Sequence, residues 1–465
     1  MADTPALRLD YANLLLPHVA GGVDPQRLST ELAGRFRSAH EAVEARRGSG
    51  EMGFFDLPYA ADTAARVKEL ADGFGQWFED VVVLGIGGSG LGAVSLRDAL
   101  LGPFWNERSD EERDHFPRLH VVDNPDPFTF RALLDRLDPA KVLFNVVSKS
   151  GSTAETMSQY LVARAWMEEG VGPDHARGHF LFTTDPAKGA LRQIAEAQGI
   201  PALPVPENVG GRFSVLSPVG LLPAAVCGAD VDDLLAGAAA MEERCRTGEL
   251  AANPAGILAT LLHVADTEQR RPIHVLMPYV DRLRSTALWF QQLWAESLGK
   301  ARGLDGAQRN TGPTPVASVG ATDQHSLLQL FMEGPHDKVV LFVAVEDAGT
   351  DVAIPQVHPE IASLSYLGGK SLGALLDAER RATAEALRRE GRPNATLVLP
   401  RVDARAVGEL FMLLQIATVY AGALYGVDPL DQPGVELGKV LTYGLMGREG
   451  FDAPALDAGD PRWVV

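Results

Sequence analysis

The sequence predicts an α/β fold: two doubly wound parallel sheets, each sandwiched between helices, with extra helices at both ends. Three observations point there. Short apolar runs alternate with helical patterns, and they do so in two separate series. The chain is 465 residues long, more than one hydrophobic core ordinarily organises. The runs of the first series end in glycine-rich or hydroxyl-rich stretches, where an open parallel sheet places its ligand loops.

Residues 1–50, with ALRLDYANLL and PQRLSTELAGRFRSAHEAVEARR, read as a helical segment outside any sheet. The first series follows as VVVLGIGG, RLHVVDN, KVLFNVVSKS, HFLFTTD and IPALPVP, interleaved with helical stretches such as TFRALLDRL, AETMSQYLVARAWMEEG and ALRQIAEAQG. It defines a first domain over residues 51–205. The second series, PIHVLMPY, KVVLFVAVE and ATLVLPRVD, is separated by the helices around LRSTALWFQQLWAES, LGALLDAERRATAEALRRE and ARAVGELFMLLQIATVYAGAL. It defines a second domain over residues 206–430, and residues 431–465 form a C-terminal helical segment. The most apolar stretch, LFMLLQIATVYAGALYGV, follows Glu409 and is interrupted by Gln415. It reads as a buried helix, not a membrane span.

Composition narrows the partners. Hydrophobic residues make up 46% and charged residues 22%, the balance of a globular protein. A net charge of −19 argues against nucleic acid. An anionic substrate would be repelled at long range, so its site must carry local cations. The two cysteines, Cys227 and Cys245, match no metal or redox spacing and suggest a reducing compartment. The start, MADTPALRLDY, has no basic segment followed by an apolar one. A cytoplasmic protein is expected.

In GIGGSG, Gly85, Gly87 and Gly90 form G-x-G-x-x-G directly after an apolar run. A dinucleotide site needs an acid about twenty residues further on to hold the ribose. The next candidate, Asp123, lies 33 positions past Gly90, beyond the long and charged NERSDEERDH. A helix N-terminus suited to phosphate remains, with the Ser89 hydroxyl as an added donor, alongside a plain strand-to-helix turn. SKSGSTAET offers Ser148, Ser150, Ser152 and Thr153 between a strand and a helix, and Thr153 and Glu155 suit a first helical turn. Hydroxyls and free N–H groups together make a phosphate cradle. A Ser/Thr-rich cap would use the same residues. In ENVGGRFSVLSPVG, two glycines before Arg212 let the backbone approach a ligand beside a permanent cation able to steady an oxyanion. A surface turn with a solvated arginine is the plainer reading.

Six stretches occur in order between about residue 85 and residue 440: GIGGSGLGA, SKSGSTAET, ENVGGRFSVLSPVG, FQQLWAESLGK, GATDQHS and DQPGVELGK. Together they resemble the glucose-6-phosphate isomerase family. The resemblance implies two sugar-isomerase (SIS) domains that interconvert glucose 6-phosphate and fructose 6-phosphate without metal or cofactor. It implies that Ser89, Ser148, Ser150 and Thr153 bind the phosphate, with Gly88 and the Lys149 backbone assisting. Gly211 and Arg212 would face C1 and C2, with Arg212 stabilising the enediolate. Glu296 would be the base, His325 and Lys439 would serve ring opening, and Gln292 would line the site. The histidine would come from a neighbouring subunit, which implies a homodimer with composite sites.

The residues bear on these roles unevenly. Gln292, Glu296 and Lys300 have i, i+4 spacing on one helix face, which an exposed Glu–Lys pair would also show. Proton transfer beside a carbonyl needs a base within reach and a donor on the oxygen, which a carboxylate and an arginine supply. His325 follows Asp323 and Gln324 at a helix start, where a capping or core histidine is equally at home. With Glu333 and His336 downstream a metal site lacks dense ligand spacing. The family pattern is broken at Pro433 and Asp323, which bears on ring opening, and at Gly151-Ser152, which suggests a looser phosphate loop. Two rivals stand beside the isomerase: a non-catalytic sugar-phosphate-binding regulator with SIS domains, and a nucleotide-dependent dehydrogenase.

Overall fold

The computed structural model describes residues 6–73, 75–456 and 459–463; the remaining positions of the terminal segments lie outside it. Strand β1 (Arg8–Asp10) and helix α1 (Glu31–Gly48) come first. The first sheet follows as β2 (Asp80–Leu84), α2 (Gly88–Leu101), β3 (Arg118–Val122), β4 (Val142–Ser148), α3 (Ala154–Val171), β5 (Phe180–Thr184) and β6 (Ala202–Pro204). Its order is β3-β2-β4-β5-β6, parallel throughout. Helices α4 (Val231–Arg244) and α5 (Pro254–Thr267) lead to the second unit. That unit holds β7 (Ile273–Pro278), α6 (Arg284–Leu298), the antiparallel hairpin β8 (Lys300–Arg302) and β9 (Gln308–Thr311), β10 (Thr314–Ala317) and β11 (Lys338–Asp347). It continues with α7 (Leu372–Arg389), β12 (Asn394–Arg401), α8 (Ala404–Tyr425) and α9 (Glu436–Leu445). The second sheet runs β1-β12-β11-β7-β10.

Both sheets bury both faces, which is why their strands read as continuous apolar runs. Along β2, Val81 and Val83 join the large central cluster, while Val82 and Leu84 join the cluster under α3 with Phe144, Phe182 and Tyr160. In the second sheet Leu341 and Leu397 face the central cluster, and Val340 and Phe342 face a third cluster with Leu387. The central cluster therefore joins one face of each sheet.

Helix α8 runs through that cluster and is buried on nearly every side, as an all-apolar helix must be. It is the one helix among the described residues long and apolar enough to cross a membrane, and the fold covers it. Two of its buried polar side chains reach neighbouring segments. Gln415 donates to the Phe213 carbonyl at 2.9 Å, and the Glu409 carboxylate accepts from the Leu7 N–H at 2.6 Å. Burial holds the Glu409 carboxyl above its ordinary pKa.

The N-terminal segment corrects one expectation. Arg8–Asp10 is not helical: it pairs antiparallel with Leu397 and its neighbours at the edge of the second sheet. Leu7 is fully buried, and a three-residue strand is too short to leave a period in the sequence. The hairpin β8–β9 and the short strand β10 are further additions to the sequence reading: QRNT carries no apolar residue, and TPVA is only four residues long and opens beside a proline.

Candidate active site

Register brings the first loops together. Leu84 of β2 lies opposite Val146 of β4, so GIGGSG and SKSGST leave the same sheet edge side by side. Gly87 takes φ +58 at the start of α2, and Ser89 sits half-buried in the first turn, its own N–H donating to the Ile86 carbonyl at 3.1 Å. A Cβ on Gly88 would lie 2.2 Å from the Gly211 carbonyl and 2.6 Å from the Arg212 nitrogen. Only glycine permits that contact, and it binds the first glycine stretch to the second.

The hydroxyl loop is internally ordered. Ser148 Oγ lies 3.0 Å and Ser150 Oγ 3.3 Å from Thr153 Oγ1, and Thr153 is the residue preceding α3. Gly151 takes φ +62 and is buried against the backbone of residues 189–191. The departure at Gly151 has a local cause: the left-handed turn there favours a glycine. The Lys149 side chain leaves the loop. Its Nζ donates to the Glu207 carbonyl at 2.6 Å and the Val209 carbonyl at 2.9 Å, so it braces the chain that leads into Gly211. Burial pushes its pKa down.

Arg212 is 3% exposed and densely engaged. Nε donates to Ser297 Oγ at 2.8 Å, and Nη2 to the carbonyls of Pro429 at 2.5 Å and Asp431 at 2.9 Å. Nη1 donates to Gln432 Oε1 at 2.8 Å and lies 3.4 Å from Glu296 Oε1. With the other edges committed, the Nη1 edge beside Glu296 is the one left to meet an anion. Burial lowers the arginine's pKa, against the pull of Glu296 and Asp431, yet a guanidinium remains charged at neutral pH.

Glu296 sits two residues before the end of α6, about a quarter exposed, and accepts from Gln292 Nε2 at 3.0 Å. That i, i+4 bond is the shared helix face the spacing predicted. Gln292 reaches Gly87, where an added Cβ would lie 3.1 Å from Nε2. Its own Oε1 is buried without a hydrogen-bond partner. Lys300 departs from expectation. It begins β8 instead of continuing α6, it is 7% exposed, and its Nζ donates to the Glu296 carbonyl at 2.7 Å, not to the carboxylate.

Lys439 comes back to the hydroxyl loop. Helix α9 and the segment before it line a cavity of about 560 Å³ with Ile86, Ser150, Ser152 and Thr153, and Lys439 is in that lining. Its Nζ donates to Glu436 at 2.7 Å in a half-exposed pair. His325 stands apart. It is exposed at the end of a short 3₁₀ turn, and among the described residues no hydrogen bond engages its ring. Asp323 accounts for its own presence: its carboxylate accepts from the Val319 N–H at 2.7 Å, Ser318 at 3.0 Å and Ser326 at 2.6 Å. Burial opposes its charge, but these bonds outweigh burial and lower its pKa, so the carboxylate ties the His325 loop together. Pro433 opens the turn that precedes α9.

Ser297, Asp431 and Gln432 were not singled out by sequence reasoning, although all three lie inside the quoted stretches FQQLWAESLGK and DQPGVELGK. Cys227 and Cys245 are free and buried, and burial pushes both thiols up to about 12. Among the described residues no group of three His, Cys, Asp or Glu side chains is arranged to hold a metal ion.

The model of the phosphoglucose isomerase family matches residues 66–449. A glucose-6-phosphate isomerase from Carboxydothermus hydrogenoformans is 43% identical over 99% of this chain and 100% of its own length. One from Rubrobacter xylanophilus is 46% identical over 97% of this chain and 100% of its own length. Among solved structures, a hypothetical protein from Thermus thermophilus superposes with a TM-score of 0.85 at 40% identity, covering 95% of this chain and 100% of that one. A glucose-6-phosphate isomerase from Chlamydia trachomatis gives 0.71 at 24% identity over 89% and 78%, a likeness of fold.

Proposed function

The chain belongs to the phosphoglucose isomerase family, and from that premise we propose how its residues carry out the reaction. The activity is the reversible isomerisation of glucose 6-phosphate and fructose 6-phosphate. A purely sugar-binding regulator is set aside, because full-length relatives above 40% identity are named as the isomerase.

The phosphate binds at the carboxyl edge of the first sheet, held by the hydroxyls of Ser89, Ser148, Ser150 and Thr153 and by backbone N–H groups from Gly88 and Lys149. Lys439 adds charge from across the cavity. His325 and Lys439 open the ring. The Glu296 carboxylate then takes the proton from C2. The electron pair of that C–H bond forms the C1–C2 double bond, and the carbonyl electrons move onto O1. The resulting cis-enediolate lies against the Nη1 edge of Arg212, a donor fixed by its other hydrogen bonds. Glu296 returns the proton to C1, while the hydroxyl proton passes from O2 to O1. Gly211 presents backbone at C1–C2, and Gln292 lines the site and holds the Glu296 carboxylate through Nε2.

The observation that carries this reading is the 3.4 Å approach of Glu296 to an arginine otherwise immobilised. Glu296→Gln tests it. We expect kcat to fall about 10²–10⁴-fold with binding of a phosphorylated inhibitor unchanged. More than about a tenth of the wild-type kcat would refute the assignment.

The exposed, unengaged His325 supports a homodimer in which each site borrows that residue from the other copy. Placement in the cytoplasm, with neither nucleic acid nor membrane as partner, fits the acidic charge, the buried α8 and the free thiols.

A further inference from the structure

Beneath Glu296 lies a cation that the chemistry above does not use. Helix α6 ends at Leu298, and the carbonyls of its last turn have no partners within the helix. The Gly299 N–H covers the Ala295 carbonyl at 2.9 Å. Lys300 folds back over the helix end and covers the Glu296 carbonyl at 2.7 Å. The same Nζ donates to the Asp431 carbonyl at 2.8 Å and lies 3.4 Å from the Asp431 carboxylate. The Asp431 carbonyl also accepts from Arg212 Nη2, so two buried cations share one oxygen.

From this arrangement we propose that Lys300 is a positioning residue for the isomerisation. Its ammonium locks the helix end that carries Glu296 to the segment 429–432 that immobilises Arg212, and so fixes the carboxylate against the guanidinium. The inference rests on Glu296 being the base.

Three features favour this role over simple packing. The Lys300 side chain is 5% exposed, and a buried ammonium has a large desolvation cost that an apolar side chain avoids. Burial, and then the nearby Arg212, push its pKa down, so the site bears an electrostatic load. Both strong acceptors are backbone carbonyls, one of Glu296 itself and one of Asp431, which also holds Arg212 and lies 131 residues from Lys300. Small displacements of a positioned base, of order 1 Å, can cost about 10²-fold in rate.

The test is Lys300→Met in the full-length protein, alone and combined with Glu296→Gln. We expect kcat to fall about 10- to 100-fold with KM changed less than about threefold. A carboxylate analogue of the enediolate should weaken in step with kcat, while a 6-phosphorylated sugar alcohol, which lacks the planar group, binds as before. In the Glu296→Gln background Lys300→Met should have almost no further effect, since both changes disable one step. A wild-type kcat in Lys300→Met overturns the proposal, as does a loss that multiplies fully with Glu296→Gln. If the methionine variant does not fold, Lys300→Gln keeps an uncharged N–H donor group on a shorter stem and carries the same comparisons with a smaller loss expected. An active Glu296→Gln single variant would instead remove the base assignment, whatever Lys300 does.

Discussion

The two halves of the proposed site are built differently. Around Arg212, Glu296 and Lys300, the arginine and the lysine are almost wholly buried, and hydrogen bonds join α6, the Gly-Gly stretch and the segment 429–432. Around Lys439 and His325, the side chains are exposed, one paired only with Glu436 and the other unengaged. The contrast teaches that the half proposed to carry the proton transfer is preorganised within one chain. The half proposed to open the ring is exposed, with Lys439 held only by a surface ion pair. Preorganised donors need no reorientation as charge develops, which is where such sites gain most of their rate.

Four substitutions or conditions sharpen that contrast. Arg212→Lys should have the largest effect: kcat falling about 10²–10³-fold and a lower melting temperature. An ammonium cannot reach Ser297, Gln432, Pro429 and Asp431 together, so buried acceptors lose their donors. An Arg212→Lys enzyme with normal kcat and thermal unfolding would erase the distinction between the halves.

His325→Ala should lower kcat about 10²-fold yet leave the melting temperature nearly unchanged, because the ring is exposed. Co-refolding it with Glu296→Gln should recover up to about a quarter of the wild-type rate, as one intact site forms in each mixed dimer. No recovery, with mixed dimers shown by sedimentation, would place the histidine in its own chain's site.

Lys439→Gln should raise KM for fructose 6-phosphate several-fold without changing stability, since a surface ion pair contributes about 0–1 kcal/mol. Raising ionic strength should weaken phosphorylated inhibitors in the wild type and less so in the variant. Salt-independent affinity would contradict a cationic rim on a chain of net charge −19.

The last test concerns acid, and it reads stability instead of rate. Burial pushes His274 down to about 3 and His263 down to about 4. Both are neutral in the fold, so below about pH 6.5 the unfolded chain binds more protons and stability falls with pH, by about 1.4 kcal/mol per unit for each histidine. His274 Nδ1 accepts from Trp294 on α6, so the buried half should loosen first. Urea unfolding at pH 7 and pH 5 checks the sign; equal stabilities would refute it.

Much of this was legible in the sequence because the decisive features are local. The glycines of GIGGSG and GGRFS mark tight backbone, read from the sequence as room for a ligand; between Gly88 and Gly211 the tight approach is of one loop to the other. Alternating apolar runs disclosed the sheets because both faces of each strand are buried. The clamp at Lys300 was hidden for the opposite reason. Its partners are main-chain carbonyls, one of them 131 residues away, and a carbonyl leaves no mark on residue type. Spacing suggested a helix-face pair, but Gly299 ends the helix before Lys300 can join it. Strand β1 was illegible because three residues show no period, and Asp323 looked like a departure until its three donors were seen.

The most direct measurement is solvent deuterium wash-in at C1 and C2 of the sugar phosphate, followed by NMR, for the wild type and Glu296→Gln. The account predicts that the wild type incorporates deuterium during turnover, while the glutamine variant, still binding a phosphorylated inhibitor normally, incorporates almost none. Incorporation by the variant at the wild-type rate would show that another group moves the proton, and the preorganised pair would no longer explain the chemistry.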